Sequence, residues 1–154
     1  ITEIDLIKFV IGILLKIDWR NVMGQDFVVV TNNPMVGESQ GEVMVVDGGF
    51  EDVLLKVRDL VYEGHQLISH PIGASMRMLF SPYRSVLVGS KGSETMEVYA
   101  LTIEGSIDTF RRSTANRDVD HVNADDYARI DLELLKGAIN EHRVIQREKI
   151  QEVQ

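Results

Sequence analysis

The sequence predicts a small α/β protein, a three-layer α/β/α sandwich on a mostly parallel sheet of about four strands, with an extra helix at its N-terminal end. Three observations carry that prediction. Short β-branched runs recur along the chain, each bounded by turn residues. Amphipathic stretches alternate with them through short joints, the pattern that covers a sheet with helices. A length of 154 residues suffices for one sizeable core and is too short for two ordinary domains.

The first element is IDLIKFVIGILLKI (residues 4–17), apolar nearly all round apart from Asp5, Lys8 and Lys16. It falls short of the roughly 20 apolar residues of a membrane-spanning helix. It therefore predicts a helix packed on more than one side, against the body of the protein or a second subunit. We assign residues 1–22 to this helical extension, 23–143 to the α/β domain and 144–154 to a charged helix end or tail.

DFVVVT (26–31) and GEVMVVD (41–47) read as buried strands. In GGFEDVLLKVRDLVYEG, Phe50, Val53, Leu54, Val57 and Val61 recur at helical spacing and Gly64 stops the pattern. HQLIS (65–69) follows at once as a strand, and strand, helix and strand so closely joined predict a right-handed parallel crossover. Residues 71–83 lapse into Gly, Ser, Met and Pro, a loop of functional character, before RSVLVGS (84–90) supplies the fourth strand. Met96, Tyr99, Ile103, Ile107 and Phe110 line one face of a helix over about 95–113. The polar connector NRDVDHVNADDY (116–127) closes on Asn123 as N-cap, with Asp125 and Asp126 in the first turn of the last helix. That helix presents Tyr127, Ile130, Leu134 and Ala138 as its apolar face, and NEHRVIQREKIQEVQ extends or frays it.

Charge and composition exclude several function classes. Sixteen Lys and Arg against 24 Asp and Glu give a net charge of -8, repulsive to a phosphate backbone or an anionic bilayer, so neither nucleic acid nor membrane is an expected partner. The chain has no cysteine, hence no thiolate nucleophile, disulfide or cysteine-held metal, which fits a reducing, cytoplasmic setting. Neither a metal-binding histidine pair nor a calcium loop is present, and no Gly-rich phosphate or dinucleotide loop follows a strand. No metal or cofactor is expected. GESQG (37–41) has the Gly-x-Ser-x-Gly spacing of the esterases but runs into the strand GEVMVVD rather than into a helix, so it makes no nucleophile elbow.

Two strands end in small polar stops, VVVTNNPMV (28–36) and QLISHPIGAS (66–75), and in a parallel sheet both would open on the carboxyl edge, where ligands bind. Asn32 and Asn33 suit a sharp turn fixed by Pro34, because asparagine amides mimic turns; the same amides can orient a ligand. His70, held in extended backbone by Pro71, is the candidate for proton transfer, and equally a histidine that caps its loop. Gly73, Ser75, Arg77, Tyr83, Arg84 and Ser85 supply guanidinium, hydroxyl and backbone donors able to hold a carboxylate or phosphate. The apolar MRMLF (76–80) equally suits a lid or a dimer contact.

Taken together and in order, VTNNPMV, GHQLISHPIGAS, SPYRSVLV and YARIDLELL resemble the GrdX family over roughly residues 26–140. The resemblance implies the setting of that family, the glycine reductase operons of amino-acid-fermenting anaerobes, and an accessory role there. By matching position it implies a site at Asn32, Asn33, Pro34, His70, Pro71, Gly73, Ser75, Tyr83 and Arg84. Three readings follow: a non-catalytic protein that holds a small anionic metabolite, a homodimeric interaction subunit that docks a glycine reductase component, and a hydrolase or lyase using His70.

Overall fold

The most apolar strands take the centre of the sheet. In the computed structural model, which describes residues 2–7, 10, 26–73, 75–92 and 96–153, β1 (Phe27–Thr31) and β4 (Ser85–Lys91) lie side by side. The less apolar β2 (Glu42–Val45) and β3 (His65–Leu67) form the edges, in the order β2-β1-β4-β3. The α-helices α1 (Phe50–Tyr62), α2 (Met96–Thr114) and α3 (Ala124–Val153) accompany the sheet, with 3-10 turns at Glu38–Gln40 and Met76–Phe80.

The sheet is mixed, which corrects the expectation of a mostly parallel one. β1 and β2 are parallel, whereas β4 runs antiparallel to both β1 and β3. The strand-helix-strand unit from β2 to β3 therefore does not make them neighbours. The reason lies in where each link ends: residues 32–41 cross back to start β2 beside the beginning of β1, whereas residues 68–84 stay at the carboxyl end of β3, where Arg84 bonds the carbonyls of His70 and Pro71, so β4 starts there and returns antiparallel.

Alternation along the central strands divides their side chains between two cores. Val30, Val86 and Val88 pack with Leu54 and Val57 of α1 and Ile103 and Ile107 of α2. Phe27, Val29 and Leu87 pack with Leu135 and Ile139 of α3. The five residues expected on the apolar face of α1 are all buried, and Phe50 stacks on Phe110 of α2 with ring centroids 4.7 Å apart. Gly64 ends that unit at φ +107°, a conformation side chains resist. Met78 and Leu79 of the MRMLF turn point into the protein's own body, while Met76 is exposed.

α3 departs from its expected face by one residue. Ala128, Asp131, Leu135, Ile139 and His142 are its buried positions, while Ile130 and Leu134 are 46% and 50% exposed. Asn123 does stand at the helix start, its carbonyl accepting from Tyr127 N–H at 3.1 Å, but its side-chain amide turns back to Asp120. The helix continues to Val153. Residues 3–7 are helical, begun by a reciprocal pair in which Thr2 and Asp5 bond each other's backbone N–H. The rest of the helix expected over 4–17 lies almost wholly outside the described residues. Among the described residues no helix is long and apolar enough to cross a membrane.

Candidate functional site

Reversal of β4 does not scatter the expected site. The carboxyl ends of β1 and β3 and the amino end of β4 share one edge, because β1 and β3 both run opposite to the strand between them. Asn32-Asn33, the 70–75 loop and Arg84-Ser85 therefore meet there. They divide into an interior clasp and a groove.

The two asparagines belong to the clasp. Asn32 donates to the carbonyls of Gly48 (3.0 Å) and Pro82 (2.8 Å) and accepts from the backbone N–H of Arg84 at 2.8 Å. One amide thus joins β1, the turn before α1 and the entry to β4. Asn33, 3% exposed, accepts from Met35 N–H at 2.9 Å, the local turn expected before and after proline. Its amide nitrogen donates to the carbonyl of Ala128 at 2.8 Å and to the carboxylate of Asp131 at 2.9 Å. Pro34 is exposed on the turn.

Asp131 is the residue that sequence reasoning missed. It projects from α3 with 1% exposure. Its carboxylate accepts the N–H of Ser85 (2.9 Å) and the hydroxyl of Ser85 (2.6 Å) as well as the Asn33 amide. Thr31 and Ser85 share a hydroxyl contact at 2.7 Å, and Asn33 N–H donates to Thr31 Oγ1 at 2.9 Å. Every polar atom of this interior cluster is thereby answered, the condition under which buried polar groups are tolerated. A signal was present in YARIDLELL, an aspartate flanked by apolar residues at helical spacing, but a first-turn or solvent role accounts for such a residue equally well.

Arg84 faces the groove. It is 6% exposed and its Nε and Nη2 donate to the carbonyls of Pro71 (2.7 Å) and His70 (2.6 Å). Among the described residues no carboxylate forms an ion pair with it. Burial pulls its pKa below the ordinary arginine value, and the more distant Asp131 charge offsets part of that. Gly73, at φ +66°, brings the loop against the guanidinium, whose Nη2 lies 3.5 Å from where a side chain at Gly73 would start. Arg84, His70, Gly73 and Ser75 line a groove of about 810 Å³ that continues along β3 and α3.

His70 sits at the groove mouth, its Nδ1 accepting from Ile72 N–H at 3.3 Å, so the neutral ring carries its proton on Nε2. Partial burial, then the Arg84 charge, lower its pKa. Since the unfolded chain holds this proton more tightly, the contribution of His70 to stability is intact above about pH 6.5 and is lost as pH falls below it. An NMR titration of the ligand-free protein is expected to place the His70 midpoint below 6.5, and an anion beside Arg84 should raise it. A midpoint at or above the ordinary value would contradict this geometry.

The remaining expected residues fall outside the groove lining. Pro71 is buried and contributes its carbonyl to Arg84, Tyr83 takes part in a local turn with Ser81, and Arg77 is exposed on the 3-10 turn. Ser85 is held by Asp131. Among the described residues no group of three His, Cys, Asp or Glu gathers closely enough to hold a metal ion.

The fold and this edge define a small mixed α/β protein whose sheet end is tied to its last helix by an interior carboxylate and whose buried arginine faces a groove. The chain belongs to the GrdX-like protein family, whose model matches residues 28–140. That span runs from β1 to the buried face of α3 and takes in the whole clasp. No curated protein and no solved structure matches the chain.

Proposed function

We propose that this protein binds a small anionic ligand at the β3–β4 edge, without catalysing its conversion, in an accessory role within the glycine reductase setting of its family. Arg84 carries the reading. Burying a guanidinium with no paired carboxylate is costly, and its Nη1 has no protein acceptor among the described residues. A carboxylate or phosphate would supply both the charge and the acceptor. Gly73 and Ser75 offer backbone and hydroxyl donors beside it, and Nε2–H of His70 adds another. The amides of Asn32 and Asn33 serve the ligand indirectly, by fixing the strand ends that carry Arg84. His70 suits a donor better than a general base, because its basic nitrogen is already engaged.

A thermal-shift measurement with acetate, succinate and phosphate tests the reading. At 100 times its Kd, a ligand selective for the folded state stabilises by about 2.7 kcal/mol. Ser75→Asp places a carboxylate at an exposed position of the groove. It is expected to abolish the rise while leaving the ligand-free Tm within about 2 °C of wild type. Failure of every anion to raise the wild-type Tm would overturn the reading.

A further inference from the structure

The anion that Arg84 holds is, we infer, the terminal carboxylate of a peptide chain that docks as an extra strand along β3; this rests on the anion site proposed above and gives it a partner. Five features of the groove converge on that occupant. β3 closes the sheet order β2-β1-β4-β3, so among the described residues its outer side has no strand partner. An open edge presents backbone N–H and C=O groups that a further extended chain can pair. Gln66, Leu67, Ile68, Ser69 and His70 line the groove in succession, which means that the groove follows this edge. An extended stretch of that length spans roughly 16 Å.

The opposite wall has the same reach. Leu134, Ala138 and Ile145 of α3 line it, and the helix rises by roughly 16 Å between Leu134 and Ile145. Leu134 and Ile145 are 50% and 42% exposed, apolar positions that side chains of an added strand would cover. A volume of about 810 Å³ is of the size that encloses drug-sized ligands and far exceeds one carboxylate or phosphate.

The position of Arg84 sets the direction and the end group. Its two bonds go to the carbonyls of His70 and Pro71, the backbone that continues β3. The guanidinium therefore lies at the carboxyl end of β3, level with the chain. A carboxylate attached directly to the backbone of an added strand meets it there, whereas a side-chain carboxylate would be displaced by its methylene spacer. The added strand runs parallel to β3, with its last residue at Arg84.

The test is an array of random-sequence hexapeptides, each made with a free carboxyl terminus and as the amide, probed with the labelled full chain. A subset of the free acids is expected to bind, at least tenfold more tightly than the matching amides. Methylating alternate backbone nitrogens of a bound peptide should weaken it at least tenfold, and so should Leu134→Glu or Ile145→Glu in the protein. Circular dichroism and Tm would show those two surface variants folded. Peptides that bind equally well as amides would overturn carboxylate capture. An array with no binder, while acetate or phosphate still raises the Tm, would overturn the peptide partner and leave the anion site standing. An array with no binder and no anion effect would remove both.

Discussion

Asp131→Ala is expected to destabilise the protein by about 4 kcal/mol, because it strands the Ser85 N–H and one N–H of the Asn33 amide in the interior and leaves the Ser85 hydroxyl only Thr31 as a partner. Arg84 loses the charge that partly offsets its own burial as well. For a chain of this size the Tm should fall by roughly 10 °C, and the urea midpoint should drop with little change in m. Asp131→Asn is not a conservative repair: its carbonyl can serve Ser85, but its NH2 then meets another donor in Asn33. Combining Asp131→Ala with Asn33→Ala should cost less than the sum of the two, since both remove the same bond. A loss below about 1 kcal/mol for Asp131→Ala would show that water or a shifted side chain replaces the carboxylate.

Asn32→Asp carries the second large effect. The substitution preserves shape and removes both N–H donors, so a carboxylate oxygen faces the carbonyls of Gly48 and Pro82. About 3 kcal/mol of stability is expected to go, against about 2 kcal/mol for Asn32→Ala, which leaves the same carbonyls unanswered but adds no repulsion. Equilibrium unfolding at neutral pH checks the order of the two. If Asp were tolerated better than Ala, the bonds to Gly48 and Pro82 would not be what fixes this edge. The cost should shrink at acid pH, where a protonated aspartate regains one donor.

The elements were legible because their side chains report their own surroundings. The valines of β1 and β4, and the spacing of Phe50, Val53, Leu54, Val57 and Val61, identify strands and a helix without reference to anything distant. Strand direction is a relation between elements, and no residue of β4 records that it runs against β1. The face of α3 was read one residue off for a related reason. Apolar periodicity points to Ile130 and Leu134, yet the buried stripe passes through Asp131, whose burial becomes intelligible only once Ser85 and Asn33 are seen to meet it. Both polar stops and Arg84 do share one edge, as their places at strand ends suggest. Their division of labour was not readable: an asparagine pair that fixes a turn and one that orients a ligand look alike in sequence.

The partners that close this edge are made at very different times during synthesis. Thr31 meets Ser85 across 54 residues, and Asn33 meets Asp131 across 98. At about 5–20 residues per second on the ribosome, β1 waits roughly 3–10 s for its central neighbour and roughly 5–20 s for the helix that locks it. Until β4 emerges, the described strands and α-helices made after β1 are β2, α1 and β3, none of which is its central neighbour, so the nascent chain is most vulnerable to aggregation in that interval. The carboxylate on α3 acts as a late fastener, and a chain truncated before Asp131 would contain all four strands of the sheet and still lack the bonds that tie the start of β4 and the turn after β1 to that helix.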